Sequence, residues 1–236
     1  MVLQLVATAA FGLEKVVVRE LADLGYEGRV ERPGRIAFAG DAGAVCRANL
    51  WLRSADRVLI QLAHFPATDF DALFDTVREI PWEDWAPPDG AIPVTGRSQK
   101  SQLASVPACQ RTVKKAIVER LTQRIGGATI PETGPPLPVD VTLFEDRASI
   151  SVDTSGRGLH RRGYRKLAGT AQLRETLAAG LVQLSFWQPE RQLIDPFCGT
   201  GTIAIEAALW GRRLAPGKSR EFAAEHWPSI PAEQWK

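Results

Sequence analysis

The sequence has few of the residues that build disulfide frameworks or zinc sites. Its three cysteines, Cys46, Cys109 and Cys198, are odd in number and widely spaced, form no Cys-x-x-Cys pair, and have no histidine close to them in the sequence. This spacing argues against a disulfide scaffold and indicates no metal site. We therefore expect all three to be small buried thiols in a reducing compartment.

Long apolar runs are also missing. No segment is long enough to cross the hydrocarbon core of a bilayer. The first ten residues are apolar, but they have no basic region, and Gln4 interrupts a very short hydrophobic stretch, so a secretory signal is not expected. These features predict a cytoplasmic protein with no membrane partner.

Charge is unevenly distributed along the 236 residues. The net charge is only +2, yet residues 97–124 and residues 157–174 each carry a net charge of +6, which leaves −10 for the remainder. Two basic segments in an otherwise acidic chain favour an anionic partner, most simply a nucleic acid. The alternative is a pair of solvated surface faces, which is the usual explanation of a single charge run.

The most informative motif is a glycine loop between a predicted strand and a predicted helix. Leu193-Ile194-Asp195 is expected to be a buried strand, and the apolar residues 203–210 are expected to be a helix. Gly199 and Gly201 allow backbone N–H groups at the start of that helix to approach a ligand closely. An acidic residue four positions before Gly-x-Gly is typical of the first motif of class I S-adenosylmethionine methyltransferases.

Parts of this region also resemble two other glycine motifs. Residues 199–204 also fit the Gly-x-Gly-x-x-Gly/Ala dinucleotide fingerprint, although Asp195-Pro-Phe-Cys198 separates the strand from the first glycine. Residues 211–219 have the wrong spacing for a phosphate-binding P-loop. An ordinary glycine turn and a dinucleotide oxidoreductase therefore stay open as alternatives.

The hydrophobic pattern alternates short strands and helices, which indicates a mixed α+β and α/β chain. A helix with a leucine stripe, Leu173, Leu177, Leu181 and Leu184, is expected to pack on the sheet that begins at Leu193. The other predicted elements are strands 3–8, 35–39 and 92–95, helices 13–24 and 41–50, a helix capped by Asp69, a helix from Val113 to Ile125 closed by Gly126-Gly127, and a hairpin of strands 139–143 and 148–152.

Three segments together resemble the THUMP-domain RNA guanine-N2 methyltransferases. They are residues 93–103 with residues 110–121, residues 153–165 (Asp-Thr-Ser-Gly-Arg-Gly-Leu-His-Arg-Arg-Gly-Tyr-Arg), and residues 195–208 (Asp-Pro-Phe-Cys-Gly-Thr-Gly-Thr-Ile-Ala-Ile-Glu-Ala-Ala). The resemblance implies an N-terminal ferredoxin-like domain at 1–54, a THUMP RNA-binding domain at 55–155, and the beginning of a Rossmann-like methyltransferase domain at 156–236.

The resemblance also implies a cofactor, a partner and site residues. The cofactor is S-adenosylmethionine, and the substrate is a guanine in ribosomal RNA, with 23S rRNA the leading choice. The residues expected to bind the cofactor are Asp195, Phe197, Gly199, Thr200, Gly201 and Thr202, where Thr202 has a helix N-cap as its alternative role. The residues expected to contact RNA are Arg97, Lys100, Arg111, Lys114, Lys115, Arg161, Arg162 and Arg165. The last three have ion pairs with acidic residues as their alternative role.

The sequence departs from the family in one respect. The family's Asn/Asp-Pro-Pro-Tyr segment, which accepts hydrogen bonds from the target amine, is not present in the 236 residues. We therefore expect a chain truncated within the methyltransferase domain, inactive alone, with exposed apolar edges in its C-terminal part. A catalytically silent RNA-binding THUMP module is the second function class.

Overall fold

A computed structural model describes residues 1–124, 130–165 and 172–235. Ile125 and Gly126-Gly127, the predicted end of a helix, lie outside the described residues. Within them the regular elements are, in chain order, β1 (Leu3–Ala9), α1 (Glu14–Asp23), β2 (Arg29–Arg32), β3 (Arg35–Gly40), α2 (Ala42–Trp51), β4 (Ala55–Pro66), α3 (Phe70–Glu79), β5 (Val94–Gln99), α4 (Val106–Arg124), β6 (Val139–Phe144), β7 (Arg147–Asp153), α5 (Glu175–Leu184) and α6 (Thr202–Gly211). The mixed α/β class is confirmed.

The chain divides into two compact units. The first unit joins residues 1–58 to residues 157–222, and the second joins residues 59–156 to residues 223–236. None of the helices in the described part of the chain is long and apolar enough to cross a membrane.

The first unit contains three antiparallel strands in the order β2-β3-β1. Its core is apolar and includes Leu5, Val17, Leu21 and Ile36. Asp41 caps α2 by accepting a hydrogen bond from the Ala44 N–H at 2.9 Å. Helices α5 and α6 pack against each other, and α5 also contacts α1. Thus the N-terminal strands and the predicted cofactor segment belong to one unit.

The second unit contains four strands in the order β4-β7-β6-β5, in which only the β5–β6 pair is parallel. The predicted hairpin is β6 and β7, joined at Glu145-Asp146. Asp69 caps α3 as predicted, because its side chain accepts a hydrogen bond from the Ala72 N–H at 2.8 Å. Helices α3 and α4 pack together, with Val113, Ala116 and Ile117 on the buried face of α4.

An ion-pair cluster ties α4 to the turn that follows α3. Glu83 Oε1 lies 2.8 Å from Arg120 Nη2 and 2.8 Å from Arg124 Nε. The hydrogen bonds from Arg120 hold the pKa of Glu83 at about 2, below its ordinary value of 4.5. Because the folded-state pKa is lowered, the cluster stabilises the fold above the ordinary pKa and loses that effect as pH falls from about 4.5 to about 2.

Replacing Glu83 with glutamine is therefore expected to lower the free energy of unfolding by about 1 kcal/mol at pH 7, since the cluster is partly screened by solvent. The difference from the parent chain is expected to vanish as the pH approaches 2. Urea unfolding across this pH range measures it, with Glu27→Gln as a control at an exposed carboxylate outside the cluster. A difference that does not change with pH would contradict the assignment.

Candidate cofactor site

The glycine loop, residues 195–201, leads directly into α6. Gly199 and Gly201 have φ angles of 53° and 74°, in the left-handed region that favours glycine. A Cβ on either residue would meet no atom closer than 3.9 Å. The backbone conformation, rather than crowding, therefore explains both glycines.

Gly201 is the N-cap residue of α6, so no side chain caps the helix. The N–H groups of the first turn and the positive end of the helix dipole are therefore available to an anion. Thr202 is the first residue of the helix, so its alternative role as the N-cap is wrong. Its hydroxyl lies 3.3 Å from that of Thr200.

Asp195 stands at the beginning of the loop. Its Oδ1 accepts a hydrogen bond from the Phe197 N–H at 3.2 Å, which leaves the other carboxylate oxygen for a ligand donor. The ring of Phe197 is 93% exposed, and Thr200 is also exposed. The loop thus combines an open backbone, a carboxylate and a helix N-terminus, which suits a ligand with both an ammonium and a carboxylate group.

Two expectations about the surroundings of the loop are wrong. Residues 193–195 do not form a strand, and the Ile194 side chain is 76% exposed. A strand needs a neighbour for its backbone hydrogen bonds, and none of the strands in the described ranges pairs with this segment. Cys198 is exposed, whereas Cys46 and Cys109 are buried as expected.

The leucine stripe of α5 is also placed differently from the prediction. Leu181 and Leu184 are exposed, and the buried face of α5 is formed by small residues such as Ala178, Ala179 and Gly180. Gly180 lets α5 pack closely against Leu13, since a Cβ on Gly180 would lie 2.7 Å from the Leu13 side chain.

A buried ion pair lies beneath the glycine loop. Arg162 Nη2 is 3.4 Å from Glu206 Oε2, and Arg162 Nε is 3.4 Å from Glu206 Oε1. The Tyr164 hydroxyl donates to Glu206 Oε1 at 3.2 Å. Glu206 is 1% exposed, and its burial raises its pKa, an effect that the Arg162 guanidinium opposes. Burial likewise raises the pKa of Tyr164, so its hydroxyl remains a donor.

Glu206 and Tyr164 were not among the predicted site residues. The sequence did contain a signal for Glu206, because it is the single carboxylate in an otherwise apolar helix. A charged side chain buried on such a helix needs a partner. The sequence does not reveal the partner, because Arg162 and Glu206 are 44 positions apart.

These contacts correct two of the RNA-contact predictions. Arg162 is 3% exposed, so its guanidinium cannot reach RNA in this fold. Arg165 Nε lies 2.9 Å from Glu175 Oε1, and its other two guanidinium nitrogens bond to the side chains of Gln172 and Thr202. Arg162 and Arg165 therefore form ion pairs with acidic residues, which was the alternative role expected for them. Arg161 is exposed, and its RNA contact stays a prediction.

The predicted RNA-contact residues of the second unit lie on β5, on α4 and in the turn after β5. Arg97, Arg111 and Lys115 are exposed, and the Lys115 ammonium lies 5.4 Å from the centre of the Phe74 ring. Lys100 pairs with Glu145 at 3.3 Å and Lys114 with Glu132 at 2.9 Å. Both pairs are partly exposed, so a polyanion can compete for them.

Three known families match successive parts of the chain. The RlmL ferredoxin-like domain matches residues 4–59, the THUMP domain matches residues 67–153, and the RMKL-like methyltransferase domain matches residues 162–235. The match to the third family includes both the glycine loop and the buried ion pair.

Proteins named as RNA methyltransferases match almost the whole chain in sequence. YpsC of Bacillus subtilis (strain 168), classed by its name among RNA methyltransferases, is 54% identical over 233 residues, which are 98% of this chain and 60% of that protein. The ribosomal RNA large subunit methyltransferase K/L of Cellvibrio japonicus is 35% identical over 242 residues, 100% of this chain and 32% of that protein. The chain thus spans 60% or less of the length of these curated relatives.

Solved structures share the fold. A Listeria monocytogenes protein, named as an N6-adenine-specific DNA methylase, has a TM-score of 0.95 and 50% identity over 100% of this chain and 62% of its own. SMU.472, a methyltransferase by name and complexed with SAH (S-adenosylhomocysteine), has a TM-score of 0.92 and 40% identity over 99% of this chain and 62% of its own. The chain thus contains, in succession, segments that match the ferredoxin-like, THUMP and RMKL-like methyltransferase domain families.

Proposed function

We propose that this chain is the RNA-binding and cofactor-binding part of an enzyme that methylates the N2 amine of a guanine in ribosomal RNA, with 23S rRNA as the substrate. The observation that carries this proposal is the glycine loop, in which Gly199 and Gly201 adopt left-handed conformations at the N-terminus of α6. Its relatives named as RNA methyltransferases favour RNA over the DNA substrate that the Listeria protein's name gives.

The loop suits the methionine end of S-adenosylmethionine, the cofactor that the methyltransferase domain implies. The first-turn N–H groups of α6 attract its carboxylate, and the free carboxylate oxygen of Asp195 accepts from its ammonium group. Gly199 and Gly201 keep the backbone open to the ligand. When bound, the cofactor supplies a methyl group already activated on a sulfonium centre.

The protein contributes mainly position to this reaction. A guanine N2 amine is a weak nucleophile because its lone pair is delocalised into the ring, so the enzyme must hold amine and methyl group in line. The target base must also leave its stack to reach the loop. The exposed basic residues of the second unit would hold the RNA backbone while this happens.

The RNA proposal predicts a change in salt dependence. Replacing Arg97, Arg111 and Lys115 with glutamine is expected to weaken binding to structured RNA and to reduce the slope of log K against log salt by about 2–3, one lost phosphate contact per residue. Fluorescence anisotropy over a salt series measures this change. The control replaces Lys15, Arg29 and Arg212, three exposed cations of the first unit, and removes the same charge. Equal losses in both variants would contradict a specific RNA surface.

We also infer that the 236-residue chain does not transfer methyl groups by itself, because it contains no Asn/Asp-Pro-Pro-Tyr segment to accept the target amine. The test is incorporation of radiolabelled methyl groups from S-adenosylmethionine into ribosomal RNA. Label incorporated by this chain above background would overturn the inference. A chain that binds RNA but no S-adenosylhomocysteine would instead be an RNA-binding module without a cofactor site.

A further inference from the structure

The arginine segment, residues 159–165, runs against one face of α6. Thr202 and Glu206 are one helical turn apart, so their side chains lie on the same face. They are 3% and 1% exposed, and they are the two polar side chains of this otherwise apolar helix. Arg165 bonds to Thr202, and Arg162 bonds to Glu206.

Arg162 anchors this contact to the rest of the first unit. Besides Glu206, its guanidinium donates to the Leu159 carbonyl at 2.8 Å and to the Arg53 carbonyl. Buried carbonyls and a buried carboxylate thus surround its charge, as a buried guanidinium requires. The position of Glu206 is therefore fixed relative to the chain that follows α2.

Arg165 holds the other end, at the start of α6. Its Nε pairs with Glu175 in the first turn of α5, one terminal nitrogen bonds to Gln172, and the other bonds to the Thr202 hydroxyl. All three nitrogens thus have partners within the protein. Arg165 therefore acts on the cofactor site through Thr202, not by direct contact with a ligand.

We propose that Arg165 and Arg162 are positioning residues that set the placement of the cofactor loop. Two attachment points about one helical turn, 5.4 Å, apart on one face prevent α6 from sliding or rotating. The first-turn N–H groups and Gly201 are thereby held in the orientation that a ligand needs. The proposal rests on the function proposed above for the loop, and it assigns Arg162 and Arg165 a structural role at the cofactor site.

The test compares Arg165→Ala, Thr202→Val and Thr202→Ser in the full 236-residue chain. Hydrogen exchange without ligand is expected to be about tenfold faster at the amides of residues 199–205 in the first two variants, because a charge-assisted hydrogen bond at the helix start is lost. Affinity for S-adenosylhomocysteine, measured by titration calorimetry, is expected to fall about tenfold. Thr202→Ser keeps the hydroxyl and should behave as the parent chain. Arg212→Ala, at the other end of α6, is the control.

Hydrogen exchange tests the positioning role of Arg165, and binding of S-adenosylhomocysteine by the parent chain tests the proposed function. If the parent chain binds no S-adenosylhomocysteine, the proposed function fails, while the exchange measurement still decides whether Arg165 fixes the loop. If exchange at residues 199–205 and affinity both stay at parent values in Arg165→Ala, the positioning role is overturned. Should Arg165→Ala exchange faster throughout the first unit, Thr202→Val decides, because it keeps Arg165 and its pair with Glu175 and replaces only the Thr202 hydroxyl, which contacts Arg165 and the Thr200 hydroxyl. Faster exchange confined to the loop supports the proposal, and unchanged exchange overturns it.

Discussion

Replacing Arg162 with methionine is expected to lower the free energy of unfolding by about 3–5 kcal/mol, the usual cost of removing one partner from a buried ion pair. The loss is large because Glu206, 1% exposed, would stay buried without its ion-pair partner, retaining the Tyr164 hydrogen bond and the more distant charge of Arg53. The Leu159 and Arg53 carbonyls would also lose their donor. Urea unfolding of the first unit at pH 7 measures the change.

The same variant is expected to be sensitive to pH. Without Arg162, the Tyr164 hydrogen bond and the Arg53 charge are left to oppose the burial that already raises the pKa of Glu206, so this pKa is expected to rise further. A carboxyl whose folded-state pKa lies above its unfolded value makes the fold less stable as pH rises from the unfolded pKa through the folded one. The deficit relative to the parent chain should therefore be smaller at pH 5 than at pH 8.

The matched control is the double variant Arg162→Met/Glu206→Met. It removes both charges of the pair together, so it should recover most of the stability lost by either single variant. If the stability losses of the two single variants add up in the double variant, the two side chains do not act as a pair.

Replacing Gly201 with valine is expected to reduce affinity for S-adenosylhomocysteine at least tenfold. Gly201 has a φ of 74°, and a β-branched residue there costs about 1–3 kcal/mol. The chain would relieve this strain by moving the N-terminus of α6, which removes the aligned N–H groups. Titration calorimetry against the parent chain measures the loss.

Two further variants make the result specific. Gly211→Ala lies at the far end of the same helix, where a Cβ would make ordinary contacts of 3.4 Å, and it should bind like the parent chain. Gly201→Asn, a residue that tolerates the left-handed conformation, should lose less affinity than Gly201→Val. Equal affinity in the parent chain and Gly201→Val would mean that the ligand does not use this helix end.

The sequence predicted those helices and turns that depend on residues close together in the chain. The Asp69 cap of α3, the hairpin of β6 and β7 and the helix after Gly201 all appear where the sequence places them. The 12-residue strand β4 was not predicted, and the segment before the glycine loop was wrongly predicted to be a strand. Strand formation depends on partners that are distant in the sequence, so a short apolar run does not decide it.

The roles of the basic residues could not be read from charge alone. Arg161 and Arg162 are neighbours with the same charge, yet one is exposed and the other is buried against Glu206. The difference comes from a carboxylate on α6, which only the folded chain brings near. The glycine loop, by contrast, has a local signal in the sequence, and the structure adds that Gly199 and Gly201 adopt left-handed conformations, which favour glycine.

Whether the glycine loop binds a methyl donor is tested by ligand binding to the 236-residue chain, measured by titration calorimetry with S-adenosylhomocysteine and NAD in separate experiments. We expect S-adenosylhomocysteine to bind with one site per chain, Gly201→Val to weaken this binding, and NAD not to bind. Binding of NAD, or no binding of S-adenosylhomocysteine, would contradict the assignment of the glycine loop to a methyl donor.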